Sequence, residues 1–172
     1  MMYFNADGSY GGMCGNGGRC VARFATEEGI AQAKHRFEAL DYIYEAAVTR
    51  RSVTLKMKSV KTLQFAKSLH LNGEEFTYHF MDTGSPHAVF TVSKPLLEMV
   101  PVELLGWNLR HHKAFSPKGT NINFLAKTSS RTVRMRTYER GVEAETLACG
   151  TGSIACSITA ATLWKMKPPI TV

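Results

Sequence analysis

Two phrases decide the reading of this chain: Met13-Cys14-Gly15-Asn16-Gly17-Gly18 near its start and Ala148-Cys149-Gly150-Thr151-Gly152 near its end. Each sets a cysteine directly before a Gly-x-Gly segment that runs into a helical pattern. That placement puts two sulfurs at helix N-termini, where unsatisfied N–H groups and the helix dipole favour a thiolate. The glycines let other groups approach the backbone closely. Two such thiols facing one pocket could remove a proton from one side of a carbon and return it on the other. The repeat is spaced too widely for a solenoid and suits a duplicated lobe.

Outward from these phrases, residues 16–28 carry a helical pattern with Val21, Phe24 and Ala25 as the inward stripe and Gly29 as its stop. Residues 1–4 read as the end of a strand. Residues 35–60 alternate apolar and polar, which predicts successive antiparallel strands. A lobe boundary falls near residues 49–52, giving 1–49 and 50–172. Beyond it, strands are expected at 76–82 and 87–92, joined by Thr83-Gly84-Ser85-Pro86, then a helix-rich insertion over 95–112 and strands at 121–127 and 132–138. A second helix over 151–164 should turn Ile154, Ile158 and Ala161 inward. Ile170-Thr171-Val172 reads as a strand with nothing after it to pair with.

The 172 residues, 44% hydrophobic and 20% charged, are enough for one large domain or two small ones and argue against disorder. The net charge of +7 is scattered rather than clustered, and no recognition motif accompanies it, so nucleic acid is not an expected partner. No stretch approaches the ~18 apolar residues of a membrane span, and no secretory signal opens the sequence, so no membrane is expected and the cytoplasm is the expected compartment. There the four cysteines stay reduced. Cys20 and Cys156 read as small buried hydrophobes. Five residues separate Cys14 from Cys20 and six separate Cys149 from Cys156, which are not zinc spacings. No Gly-Lys-Ser/Thr follows either turn, so the helix starts suit a carboxylate better than a nucleotide.

Other candidates stand beside the cysteines. Arg140, in Tyr138-Glu139-Arg140-Gly141, can hold a carboxylate through two parallel hydrogen bonds, and Glu139 can accept from an ammonium group. Asn5 and Asn121 lie in turn-like contexts and, by themselves, read as turn formers. His87 reads equally as a base, a hydrogen-bond partner or a structural histidine.

The blocks Asn5-Ala6-Asp7-Gly8-Ser9, Met13 through Cys20, Glu139-Arg140-Gly141 and Glu145 through Gly152 closely resemble the diaminopimelate epimerase family, in order over nearly the whole chain. The resemblance implies an α+β fold of two pseudo-symmetric lobes, each a mostly antiparallel sheet wrapped around a central helix. It also implies further segments before and after this chain, leaving the first lobe partial. The implied activity is cofactor-independent interconversion of LL- and meso-diaminopimelate, in lysine and peptidoglycan precursor biosynthesis, by an isomerase for which a homodimer is an open arrangement. Cys14 and Cys149 would be the acid–base pair. The N–H groups of Gly15, Asn16, Gly150 and Thr151 would hold the carboxylate at the reacting centre. Arg140, Asn5 and Asn121 would grip the distal carboxylate, Glu139 and Asn5 the distal ammonium, and His87 falls near the reacting centre. Ser85 stands where many members have asparagine, and the loop from Glu139 to Cys149 is one residue longer than in some. A related two-cysteine proline or hydroxyproline racemase or dehydratase, and a non-catalytic chain, are the alternatives.

Overall fold

The computed structural model describes residues 1–4, 8, 10, 11, 13–40 and 42–172. It divides into two compact units, Met1–Ser59 and Val60–Val172. Both are α+β.

In the first unit, α1 (Gly15–Glu27) precedes β1 (Lys34–Ala39), β2 (Tyr42–Val48) and β3 (Val53–Lys56), an antiparallel sheet in sequence order. Because Val48 pairs with Val53, residues 49–52 form the turn of a hairpin, and the unit runs ten residues past the expected boundary. The core is small: Met13, Ala39 and Tyr44, with Phe37, Leu55 and Met57 packed on them. The expected stripe of α1 does not face it. Val21 and Phe24 are exposed, whereas Gly15, Gly18 and Ala22 are buried. The reason is steric. A Cβ on Gly18 would lie 2.7 Å from Met13 Cε and 3.1 Å from Leu55 Cδ2, so the helix can meet this core only through its small residues. Cys20 is exposed as well, contrary to its reading as a buried hydrophobe.

The second unit holds a six-stranded sheet: β4 (Leu63–Leu71), β5 (Glu74–Asp82), β6 (Pro86–Thr91), β7 (Asn121–Lys127), β8 (Val133–Glu139) and β9 (Ala144–Thr146), neighbours in sequence order. Every pair is antiparallel except β6–β7, which is parallel and is joined by a crossover carrying α2 (Lys94–Met99) and α3 (Val102–Arg110). The pleat sends alternate side chains to opposite faces. Ala88, Phe90, Ile122, Phe124, Ala126 and Tyr138 meet Leu97, Val102 and Leu109 on one face. Val89, Leu125 and Val133 meet Ala155, Cys156 and Ala160 of α4 (Gly150–Trp164) on the other. With both faces covered, β6 and β7 are buried almost throughout.

Against this second face α4 presents Thr151, Gly152, Ala155, Cys156, Thr159 and Ala160; of the expected Ile154, Ile158 and Ala161, all half-buried, Ile158 packs against this core. Bulk comes from the sheet, so the closest helix positions must be small. Cys156 is fully buried, as expected. The C-terminal residues do find a partner: Thr171 bridges to Thr132 in parallel, with the Thr171 N–H on Arg131 O and the Val133 N–H on Thr171 O, both at 2.9 Å. Among the described residues no helix is long and apolar enough to cross a membrane.

Candidate active site

The two cysteine phrases adopt the same local structure. Cys14 is the N-cap of α1 with φ −103° and ψ 116°, and Cys149 is the N-cap of α4 with φ −125° and ψ 108°. In each, the sulfur accepts the N–H three residues on: Gly17 N–H to Cys14 Sγ at 3.3 Å, Gly152 N–H to Cys149 Sγ at 3.4 Å. Serine, threonine, aspartate and asparagine usually do this capping. A sulfur in their place sits on the positive end of the helix dipole and beside N–H groups that precede the first intrahelical bond. None of the four cysteines is in a disulfide.

The glycines differ in what they permit. At Gly152 a Cβ would stand 2.7 Å from Asn123 Oδ1 and 3.2 Å from Cys149 Sγ, so only glycine lets α4 lie this close to the sheet. At Gly17 the added atom would make ordinary contacts with Cys14.

Around Cys149 the second unit assembles a polar cluster. Period-two alternation places His87, Asn121, Asn123 and Thr137 on the sheet face that carries α4, and the strand register sets His87 beside Asn121 and Asn123 beside Thr137. His87 is fully buried. Its Nε2 lies 2.9 Å from Thr151 Oγ1 and 3.0 Å from Ser85 Oγ, and its Nδ1 lies 3.0 Å from Asn123 Nδ2. Burial, above all, lowers its pKa to about 3, and the charge of Arg140 adds to the shift. His87 is therefore neutral at physiological pH. Thr151 Oγ1 also lies 3.6 Å from Cys149 Sγ, and the Thr83 hydroxyl donates to Thr151 O at 2.9 Å, fixing the first turn of α4 to the β5–β6 hairpin.

Asn121 faces the same end of the sheet. Its amide donates to Pro86 O at 2.8 Å and accepts the Arg140 N–H at 2.9 Å, so it ties the strand end to the loop that carries Arg140. The Arg140 guanidinium reaches Lys118 O at 3.4 Å. Glu139, half-buried at the end of β8, accepts from the Thr146 hydroxyl. In the first unit Gly15 is buried at the first position of α1, and Asn16 accepts from Arg19. Asn5 lies outside the described residues.

Within the second unit, then, His87, Asn121, Thr151 and Cys149 come together with Ser85, and Arg140 joins them through its backbone. Asn123 and Thr137 belong to the cluster and were not singled out from the sequence. The signal was available: two asparagines at alternate positions of an otherwise apolar strand, Asn121-Ile122-Asn123-Phe124-Leu125, put two amides on one buried face. Among the described residues, no three His, Cys, Asp or Glu side chains gather as a metal site would require.

Known proteins resemble this chain in sequence and in fold. The family model for diaminopimelate epimerase matches residues 79–172. A diaminopimelate epimerase of Hydrogenobaculum sp. is 48% identical over 160 residues, covering 92% of this chain and 57% of that protein. Those of Aquifex aeolicus and Chlorobaculum tepidum are each 47% identical, over 91% and 96% of this chain and 56% and 63% of their own lengths. The chain thus spans somewhat more than half the length of the curated relatives it matches. Among solved structures, a phenazine biosynthesis protein of the PhzF family from Bacillus anthracis superposes with a TM-score of 0.71 at 16% identity, covering 94% of this chain and 61% of that one. A hydroxyproline epimerase from Agrobacterium vitis superposes with a TM-score of 0.65 at 17% identity, covering 92% and 54%. These two share the fold. By sequence, the chain belongs to the diaminopimelate epimerase family.

Proposed function

We propose that this chain supplies the two thiols of a cofactor-independent, cytoplasmic isomerase that interconverts LL- and meso-diaminopimelate. The observation that carries the proposal is the repeated cap: in each unit a cysteine sulfur accepts a helix N–H beside the first N–H groups of that helix. An amino-acid Cα–H is a very weak acid, so charge developing on the α-carboxylate has to be stabilised as the proton leaves. The N–H groups of Gly15, Asn16, Gly150 and Thr151 would do this. One preorganised donor of that kind is worth about 2.7–4 kcal/mol.

Inversion requires one sulfur to act as thiolate base on one face of the carbon and the other as thiol acid on the opposite face. At rest one is charged and one is not, and their titrations are coupled. Acid–base assistance contributes roughly 10²–10⁴-fold, so orientation of the substrate must supply much of the remainder. Arg140, with Asn121 and Asn5, would hold the distal carboxylate, and Glu139 with Asn5 the distal ammonium. This second charged end distinguishes diaminopimelate from proline or hydroxyproline, which have no distal pair to hold.

The test is deuterium uptake from D₂O into the α-position of LL-diaminopimelate and of proline by the full chain, with Cys14→Ala and Cys149→Ala as controls. Label entering diaminopimelate, and lost in both controls, is expected. Label entering only proline would replace the substrate assignment, and uptake equal to that of the controls would leave a binding-only chain.

A further inference from the structure

The buried cluster contains a chain of hydrogen bonds whose directions can be assigned. Ala88 O can only accept, and it lies 3.2 Å from Asn123 Nδ2. The Asn123 amide nitrogen is therefore the atom facing it, and its oxygen accepts from the Thr137 hydroxyl at 3.0 Å. The same amide nitrogen lies 3.0 Å from His87 Nδ1 and must donate to it. His87 Nδ1 is thus the unprotonated nitrogen, and in a neutral imidazole the proton is then on Nε2.

That proton points at Thr151 Oγ1, 2.9 Å away, with Ser85 Oγ at 3.0 Å as a second acceptor. A hydroxyl has one proton to give and two lone pairs to receive. Thr151 Oγ1 receives from His87; the Ser85 hydroxyl, whose oxygen receives the Asn121 amide at 3.4 Å, lies 3.1 Å from it, and either hydroxyl can donate to the other. A Cys149 thiolate, 3.6 Å away, can only accept, and as a charged acceptor it takes the Thr151 proton ahead of the neutral Ser85 oxygen.

The geometry points to Asn123 as a positioning residue: through the tautomer of His87 it commits the Thr151 hydroxyl to donate to Cys149 Sγ. Among the described residues the sulfur then accepts the Gly152 N–H and the Thr151 O–H, and its thiolate is stabilised in a site 6% exposed to solvent. Burial keeps His87 neutral, so the tautomer holds through the physiological range. Among the described residues, Arg140 bears on His87 through its charge, and Cys156 couples electrostatically to Cys149, its own thiol pushed up by burial beyond the working range. This assignment deepens the thiol reading of Cys149 and rests on it for its catalytic meaning.

Two measurements on the full chain test it without turnover. Long-range ¹H–¹⁵N correlation of labelled histidine reads the tautomer directly; His87 is expected as Nε2–H. Asn123→Asp, which turns the donor facing Nδ1 into an acceptor, is expected to move the proton to Nδ1. In a Cys14→Ala, Cys20→Ala background, ultraviolet absorbance reads the thiolate of Cys149 against pH. Thr151→Val, which keeps the shape and removes the hydroxyl, is expected to lower the acid dissociation constant about tenfold, one pH unit. A His87 proton found on Nδ1 in the intact chain overturns the assignment, and this measurement needs no variant to fold. An unchanged Cys149 titration in folded Thr151→Val overturns it too. Failure of diaminopimelate exchange would refute the proposed reaction and leave these readouts untouched.

Discussion

The burial of His87 makes the stability of the second unit pH-dependent in a calculable way. Its pKa, lowered from 6.5 to about 3, means that unfolding below neutrality is accompanied by proton uptake. The unfolded chain binds a proton at this position as pH falls through 6.5, and the folded chain does not until about 3. Stability from this group is therefore complete above pH 6.5 and is lost progressively as pH falls toward the folded value, with a limiting slope of about 1.4 kcal/mol per pH unit. Between pH 7.5 and pH 5 the loss is about 2 kcal/mol.

His87→Gln removes the titrating group and keeps a polar side chain of similar length. Urea unfolding should be followed through tryptophan fluorescence, since both tryptophans, Trp107 and Trp164, lie in the second unit. The variant starts from its own baseline, so the readout is the difference in slope: the intact chain should lose about 2 kcal/mol more than the variant over that interval. His79 is also depressed by burial, but it is present in both chains and cancels. Parallel pH–stability curves would refute the reasoning, because they would mean that His87 gains no proton on unfolding.

Two further substitutions test the packing that carries the site. Gly106→Ala places a Cβ 2.5 Å from Tyr138 Cβ and 2.7 Å from its Cγ, atoms fixed to the backbone of β8, so α3 must lift at a cost of about 1–3 kcal/mol; an unchanged thermal midpoint would contradict the contact. Arg136 donates to both Glu145 oxygens at 2.7 Å and to Leu97 O and Val100 O at 3.0 and 2.9 Å, so Arg136→Lys, with no planar fork, should cost about 2 kcal/mol in denaturant unfolding; a loss within error would show that a point charge suffices.

What the sequence disclosed and what it hid follow from the same physics. The cysteine phrases were legible because a cap and its glycines are local: the residue that caps and the N–H that it satisfies lie three positions apart. The hairpin at 83–86, the crossover and strands β7 and β8 were legible from turn residues and alternation. Strand β4 was not, because it is an edge strand with little buried pattern, broken by a bulge at Ala66 whose N–H is taken by His79 Nδ1 at 3.2 Å. The two-residue Asn72-Gly73 turn was its one strong signal. Apart from Ile158, which packs against the core of the second unit, the inward faces of both helices were misjudged for a shared reason. Apolar periodicity marks the bulky residues, but the faces pressed closest to the sheets are Gly18-Ala22 and Gly152-Ala155-Cys156, chosen for small size. Size complementarity depends on a partner distant in sequence, and single-chain periodicity does not see it.

The same local motif in two settings also sets the two sulfurs apart. Backbone angles and the N–H accepted from the third helical residue are alike at Cys14 and Cys149, so dipole and cap give the two thiols the same local help. The difference enters at the second helical position. In α4 it is Thr151, whose hydroxyl lies within reach of its own cysteine sulfur and of His87. In α1 it is Asn16, whose side-chain oxygen accepts from Arg19. Cys149 is buried and Cys14 half-buried. A buried sulfur gains more from each aimed donor than a solvated one, because water no longer competes for it. A two-thiol reaction needs one sulfur charged and the other protonated before substrate arrives. The residue after each Cys-Gly, threonine in one helix and asparagine in the other, is where the chain makes two copies of one cap chemically unequal.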